Sequence, residues 1–283
     1  MEFVKAHGTG NDFVVVEDLD DRLKLSPELV RAVCDRHFGV GADGLIRIAP
    51  GTRVPFFMDY RNADGSFAKM CGNGVRVVGK YLADRERVGS AFDLETGDGV
   101  KRLELHFDDH GLVDRVSVDM GAPSFDRADL PMSGEGEALK EPLEVAGHTF
   151  EAICLSMGNP HAVVFVDDVD AAPVTTAGPL LERHPVFPDR TNVEFVQVVD
   201  QRTLRQRTWE RGVGETLACG TGACAVAVAS QVRGFAGQRL VVELRGGRLE
   251  LEWSPGGTVR MTGPAREVAH GTLAPDFLAR LGA

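Results

Sequence analysis

Apolar residues recur along this chain in short runs rather than in long helical stripes. Phe13-Val14-Val15-Val16 and Ala162-Val163-Val164-Phe165 both read as buried strands. Ser26-Pro27-Glu28 puts Pro at a first helical position and opens a helical stretch from Pro27 to His37, after which Leu45-Ile46-Arg47-Ile48 reads as a strand. Phe92-Asp93-Leu94-Glu95 and Leu240-Val241-Val242-Glu243 are further strands, with Gly99 and Gly247 at hairpin turns. Cys71-Gly72-Asn73-Gly74 and Cys219-Gly220-Thr221-Gly222 each precede a small or β-branched stretch long enough for a buried helix. The segment from Leu273 to Leu281 reads as a closing helix that returns to the first part of the chain.

These elements repeat. Residues 11–107 lie over residues 159–255 at a constant offset of 148, without a gap. Gly10-Asn11 falls on Gly158-Asn159, Cys71 on Cys219, and Gly99 on Gly247. Two Cys-Gly-x-Gly elements, each 60 residues after a Gly-Asn, are too rare a coincidence for chance. The expected fold is α/β of the α+β kind: two pseudo-symmetric homologous domains, each mainly antiparallel sheet wrapped around a central helix, with an active site in the cleft between them. Met120-Gly121-Ala122-Pro123 and Gly263-Pro264-Ala265 close the two units, so one half comprises residues 1–120 with 266–283 and the other residues 121–265.

Composition narrows the function. The chain has 283 residues, 43% hydrophobic and 26% charged, which gives room for two soluble domains. There is no run of ~18 apolar residues to span a membrane, and Met1 to His7 lack the features of a secretory signal, so a cytoplasmic location is expected. A formal charge of -11 with scattered Lys and Arg argues against nucleic-acid partners. Cys34, Cys71, Cys154, Cys219 and Cys224 are odd in number and irregularly spaced, without paired C-x-x-C ligands, so reduced thiols and no metal are expected.

A cysteine entering a glycine-rich helix start meets free N–H groups and the positive end of the helix dipole, which favour the thiolate, and the same N–H groups can bind a carboxylate. Two such elements from homologous halves could serve opposite faces of one carbon, one as thiolate base and one as thiol acid. Cys34, Cys154 and Cys224 lack this context and read as small buried hydrophobes. Gly39-Val40-Gly41-Ala42-Asp43-Gly44 matches a dinucleotide-binding pattern literally. It follows a helix and precedes a strand, the reverse of what that pattern needs, and reads as a turn.

Longer motifs carry a resemblance. They are His7-Gly8-Thr9-Gly10-Asn11-Asp12-Phe13, Arg36 to Gly44, Asn62-Ala63-Asp64-Gly65-Ser66 and Met70-Cys71-Gly72-Asn73-Gly74-Val75-Arg76 in the first half. In the second they are Gly158-Asn159-Pro160-His161, Thr191-Asn192-Val193-Glu194-Phe195, Trp209 to Thr216 and Ala218-Cys219-Gly220-Thr221-Gly222. With these the chain resembles diaminopimelate epimerases over essentially its whole length. The resemblance implies conversion of LL-2,6-diaminopimelate to the meso form, in lysine and peptidoglycan-precursor synthesis, by a homodimer without pyridoxal phosphate or metal. It makes Cys71 and Cys219 the two bases, with Gly72, Asn73, Gly220 and Thr221 around the reacting carboxylate. Asn11, Asn62, Asn159, Asn192, Glu210 and Arg211 would hold the substrate's amino and carboxylate groups, and His161 and Glu210 would tune the thiols. Some members place a glutamine where this chain has Gly44, so that contact is not carried over.

Without the resemblance, the asparagines read as turn formers, His161 as a packed or capping residue, Arg211 as a solvated charge, and Trp209 as core or cleft wall. Rival functions remain: a proline or hydroxyproline racemase, disfavoured by the polar residues available for a second zwitterionic end; a phenazine-type isomerase, disfavoured by the paired cysteines; and a non-catalytic amino-acid-binding protein, which has no use for matched thiols.

Overall fold

The computed structural model describes residues 1–281, which form two compact units: Met1–Val118 joined by the segment from Gly263 onward, and Asp119–Thr262. Each is a sheet-dominated α/β unit.

The first unit runs β1 (Glu2–Gly8), β2 (Asn11–Glu17), α1 (Pro27–Cys34), β3 (Gly44–Pro50), β4 (Phe56–Asn62), β5 (Phe67–Ala68), α2 (Gly72–Ala83), β6 (Ala91–Thr96), β7 (Gly99–Phe107) and β8 (Val113–Asp119). Neighbouring strands pair antiparallel except β2–β3 and β4–β6, which are parallel. The second unit follows with β9 (Glu141–Val145), β10 (His148–Ser156), β11 (Pro160–Phe165), α3 (Val174–Glu182), β12 (Asn192–Val198), β13 (Thr203–Glu210), β14 (Gly214–Thr216), α4 (Gly220–Val232), β15 (Arg239–Leu244), β16 (Gly247–Glu252) and β17 (Arg260–Pro264). Its parallel pairs, β11–β12 and β13–β15, fall at the repeat-equivalent places. The chain ends in the first unit with β18 (Arg266–Thr272), which pairs antiparallel with β1, and α5 (Pro275–Ala279).

The register repeats residue by residue. Phe13 faces Gly44 and Ile46 faces Tyr60 in the first unit; His161 faces Asn192 and Glu194 faces Thr208 in the second, each position shifted by the same 148.

The central helices owe little to intrinsic propensity. α2 carries Gly72, Gly74 and Gly79 and several β-branched valines, and each interior Gly costs about 1 kcal/mol relative to Ala. Burial offsets this: every residue of α2 from Gly72 to Leu82 is buried, packed against β1, β4, β7 and β18. Gly79 lets Leu103, Val116 and Leu105 close on the helix, since a Cβ there would lie 3.0–3.4 Å from their methyl groups. α4, rich in Ala and Val, is likewise buried from Ala223 to Ser230 and packs against β10, β11, β12, β15 and β16.

Two boundaries differ from the sequence expectation. The first helix stops at Cys34 rather than His37, because the Asp35 carboxylate accepts the His37 and Phe38 N–H groups (both 2.8 Å) and diverts the chain into a turn. The closing helix spans only Pro275–Ala279, but Phe277, Leu278 and Leu281 pack with Leu273 on the first unit's core, beside Leu29, Val30 and Val33. The hairpin β3–β4 also contributes a strand, Phe56–Asn62, that the linear pattern did not single out.

Candidate functional site

Each central helix has a cysteine as its N-cap. Cys71 and Cys219 take extended backbone conformations, and each sulfur accepts the N–H three residues on, from Gly74 and Gly222, at 3.4 Å. A capping thiol therefore faces the donor-rich, positive end of its helix. Cys71 is half-buried, whereas Cys219 is 6% exposed.

In the first unit the turn from β1 to β2 is made by Thr9 and Gly10, both at positive φ (52° and 84°). A left-handed threonine is strained. Its hydroxyl is held by the fully buried Arg76, whose Nη2 donates to Thr9 Oγ1 at 3.1 Å and to Asn73 Oδ1 at 2.9 Å. Asn73 Nδ2 in turn donates to Asn11 Oδ1 (3.1 Å), which also faces Cys71 Sγ at 3.6 Å, and Asn11 Nδ2 donates to Asp43 (2.8 Å). Cys71, Gly72, Asn73 and Asn11 are thus assembled in one place. Asn62 stands at the end of β4, its Nδ2 on Ser66 Oγ at 3.0 Å.

The second unit builds the equivalent place differently. Asn159 donates through Nδ2 to Thr221 Oγ1 (3.3 Å) and accepts through Oδ1 from His161 Nε2 (3.0 Å). His161 Nδ1 meets Glu194 Oε1 at 2.8 Å, with both side chains wholly buried. Thr221 Oγ1 lies 3.6 Å from Cys219 Sγ. Burial pushes the Cys219 thiol well above its ordinary value; the Glu210 and then the Glu194 carboxylates push it the same way, against the Thr221 hydroxyl and Gly222 N–H.

Asn192 and Arg211 are brought together, but through backbone. Asn192 is buried, donates to Pro160 O at 2.9 Å and accepts the Arg211 N–H at 2.9 Å, so both ends of its amide support the loop. The Arg211 guanidinium is exposed, with Nη1 3.3 Å from Asp189 O. The buried Glu182 braces the loop from the other side, accepting Gly212 N–H at 2.9 Å and Trp209 Nε1 at 2.8 Å, which makes Trp209 part of the core.

Glu194, Arg76, Asp43 and Glu182 were missed by the sequence reading. A charge between apolar neighbours, such as Glu194 between Val193 and Phe195 in β12, was the one available signal. Gly44 has a packing reason: at Asn192's register position, a Cβ would lie 2.5 Å from Arg61 O and from Tyr60 Cε2. Cys34, Cys154 and Cys224 are buried and form no disulfide, as expected for small hydrophobes. Among the described residues no group of three His, Cys, Asp or Glu converges as a metal site, and no helix is long and apolar enough to cross a membrane.

Two sheet-wrapped helices in a repeat place the chain among two-halved racemase-like folds. The probable proline racemase from Agrobacterium radiobacter K84 is similar with a TM-score of 0.74 at 16% identity, over 97% of this chain and 93% of that one, a likeness of fold alone. Sequence then decides the family. The model of the family described as Diaminopimelate epimerase matches residues 3–125 and 153–268. The diaminopimelate epimerase of Pelotomaculum thermopropionicum is 49% identical over 275 residues, 96% of this chain and 98% of its own length. That of Moorella thermoacetica is 49% identical over 280 residues, 98% of this chain and all of its own. The chain belongs to the diaminopimelate epimerase family.

Proposed function

We propose that this chain inverts one α-carbon of LL-2,6-diaminopimelate to give the meso isomer, using Cys71 and Cys219 as the two bases on opposite faces of that carbon and no bound cofactor or metal. The observation that carries the reading is the duplicated cap: two thiols in identical register, each accepting a helix N–H at 3.4 Å, with Asn11 facing Cys71 and the repeat-equivalent Asn159 linked to Cys219 through Thr221. One sulfur, as thiolate, takes the α-proton, and the other, as thiol, delivers its own from the far side, so neither proton crosses the carbon. The first-turn N–H groups of Gly72, Asn73, Gly220 and Thr221 suit the carboxylate of the reacting centre. Asn11, Asn62, Asn159, Asn192, Glu210 and Arg211 are available for the remaining charged groups, and His161 and Glu210 adjust the thiols.

Membership of the family and the near-complete coverage of its relatives support the substrate. Five cysteines, none of them in a disulfide, support a reducing, cytoplasmic setting, and a homodimer completes the proposal, to be read by light scattering. The deciding experiment is turnover of LL-diaminopimelate in D2O, with the stereoisomers separated and weighed. Early product carries deuterium at the inverted carbon while recovered substrate stays unlabelled. Label entering recovered substrate as fast as product forms would show one exchanging base and end the two-thiol reading. Activity that disappears with EDTA and returns with a divalent metal would end the cofactor-free part.

A further inference from the structure

Glu194 stands where a charge is costly. It sits in the middle of β12 among Val193, Phe195 and Val196, all fully buried, and is itself 0% exposed. An unpaired carboxylate there would cost several kcal/mol. The first half carries Ile46 at this place, so the fold itself does not require the charge.

Its partner is defined by the hydrogen-bond network. Asn159 points Nδ2 at Thr221 and therefore turns its oxygen to His161 Nε2, 3.0 Å away, which makes Nε2 the protonated, donating nitrogen. The contact between His161 Nδ1 and Glu194 Oε1 is 2.8 Å, too short for two lone pairs, so one proton lies in it. His161 and Glu194 thus form one hydrogen-bonded pair. Its carboxylate member is the one turned to the sulfur. The space where Gly222 lacks a side chain is met by Glu194 Oε1, Gln206 Nε2 and Cys219 Sγ, at 2.6, 3.1 and 3.2 Å from the place of a Cβ. At Gly74 the corresponding space is met by Ile46 Cδ1, Met58 Sδ and Cys71 Cβ. Glu194 Oε2 is buried without a hydrogen-bond partner, so half of this carboxylate's accepting capacity is unspent.

We propose that Glu194 is a positioning residue for Cys219: held by His161, its carboxylate keeps that sulfur in the thiol form as the proton donor of the resting protein, while the His161 ring it orients fixes Asn159 against the Thr221 loop. This rests on the two-base reading and adds the residue that makes the bases unequal. The groups facing Cys219 are Glu194 from β12, with His161 of β11 behind it, Glu210 from the end of β13, and Thr221 and the Gly222 N–H from α4. The two carboxylates disfavour the thiolate and the two donors favour it, so removing one carboxylate shifts the balance toward ionisation.

The test is site-resolved alkylation of the full-length protein by iodoacetamide between about pH 6 and 10.5, following the Cys219 and Cys71 peptides separately by mass spectrometry. The height of each profile reports access and its position on the pH axis reports ionisation. In Glu194→Gln the Cys219 profile is expected to move down by about one pH unit, a tenfold faster reaction at a fixed pH on the rising limb, while the Cys71 profile stays in place. If circular dichroism shows that Glu194→Gln does not fold, Glu194→Ile, which copies the residue of the first half, gives the same readout. A Cys219 profile unchanged in the folded variant overturns the proposal, as does an equal shift of both cysteines. Epimerisation of LL-diaminopimelate is followed on the same samples: an unmoved profile in a protein whose wild type is active rejects Glu194 alone, whereas an inactive wild type rejects the two-base reading and leaves the alkylation profile to judge Glu194.

Discussion

On the strands that carry the two cysteine-capped helices, the first unit places Phe13, Ile46, Met58 and Tyr60, and the second places His161, Glu194, Gln206 and Thr208 at the same four register positions. The ladders are superimposable in pattern; the side chains are not. Phe13 and Tyr60 pack edge to face at 5.6 Å, while their counterparts form part of a buried polar cluster in which His161 and Glu194 meet at 2.8 Å and Gln206 donates to Thr208 at 2.7 Å. Backbone pairing constrains where a strand lies and which way each residue points, but leaves chemistry free wherever volume is respected. Two halves of one duplication can thus present similar caps to a ligand while giving them different electrostatic surroundings, which is what a pair of bases with opposite resting roles requires.

The largest effect expected falls on both halves alike. Cys71→Ala and Cys219→Ala should each lower kcat/KM for diaminopimelate epimerisation by on the order of 10³-fold or more, about 4 kcal/mol, because either loss leaves one proton transfer without its group. Initial rates by chiral chromatography measure it, and a variant with near wild-type rates would make the duplicated thiols coincidental. Unequal surroundings show more clearly in the adjoining glycines. Gly222→Ala drives a methyl to 2.6 Å from a carboxylate oxygen pinned by His161 and should cost about 2–3 kcal/mol in urea unfolding. Gly74→Ala meets only the flexible tip of Ile46 at 3.0 Å, and the helix propensity gained, about 1 kcal/mol, should nearly cancel the crowding. Equal costs would mean that the polar cluster is no more rigid than the apolar one.

Much of this architecture was legible as linear pattern because it depends on spacing: the repeat, the cysteine at each helix start, and the hairpins at Gly99 and Gly247, which take positive φ of 114° and 144°. Other features depend on what a side chain meets after folding. Arg76 and Glu194 are written in the chain like surface charges, and only three-dimensional proximity turns them into buried anchors of Asn73 and His161. The hydrogen bonds of the Asn192 amide with Pro160 O and the Arg211 N–H likewise show only in the folded chain. The helix that ends at Cys34 could not be placed from periodicity, since its end is set by one Asp35 carboxylate competing for two N–H groups.

The smallest effect compares two glutamates in equivalent positions, Glu95 on β6 and Glu243 on β15. Glu95 gathers a turn of the first unit: its carboxylate accepts the Arg53 N–H at 2.9 Å, the Thr52 N–H at 2.7 Å, the Thr52 hydroxyl and Arg53 Nε. These bonds, the Arg53 N–H foremost, favour the charged form and hold its pKa down at about 2. Glu243 has an ion pair with Arg248 at 2.7 Å, whose guanidinium side chain is 75% exposed. Exposed pairs of that kind contribute about 0–1 kcal/mol. Glu95→Gln should therefore lower the urea midpoint at neutral pH, and Glu243→Gln should leave it where it is. A carboxylate whose folded pKa is depressed adds stability that is full above its unfolded value and is lost as pH falls through the folded one. The gap between wild type and Glu95→Gln should thus be complete above about pH 5, shrink below the ordinary glutamate value of 4.5 and close near pH 2. A gap that persists unchanged at pH 2 would show that Glu95 acts through packing rather than charge, and an equal loss in Glu243→Gln would show that the two halves share this contact after all.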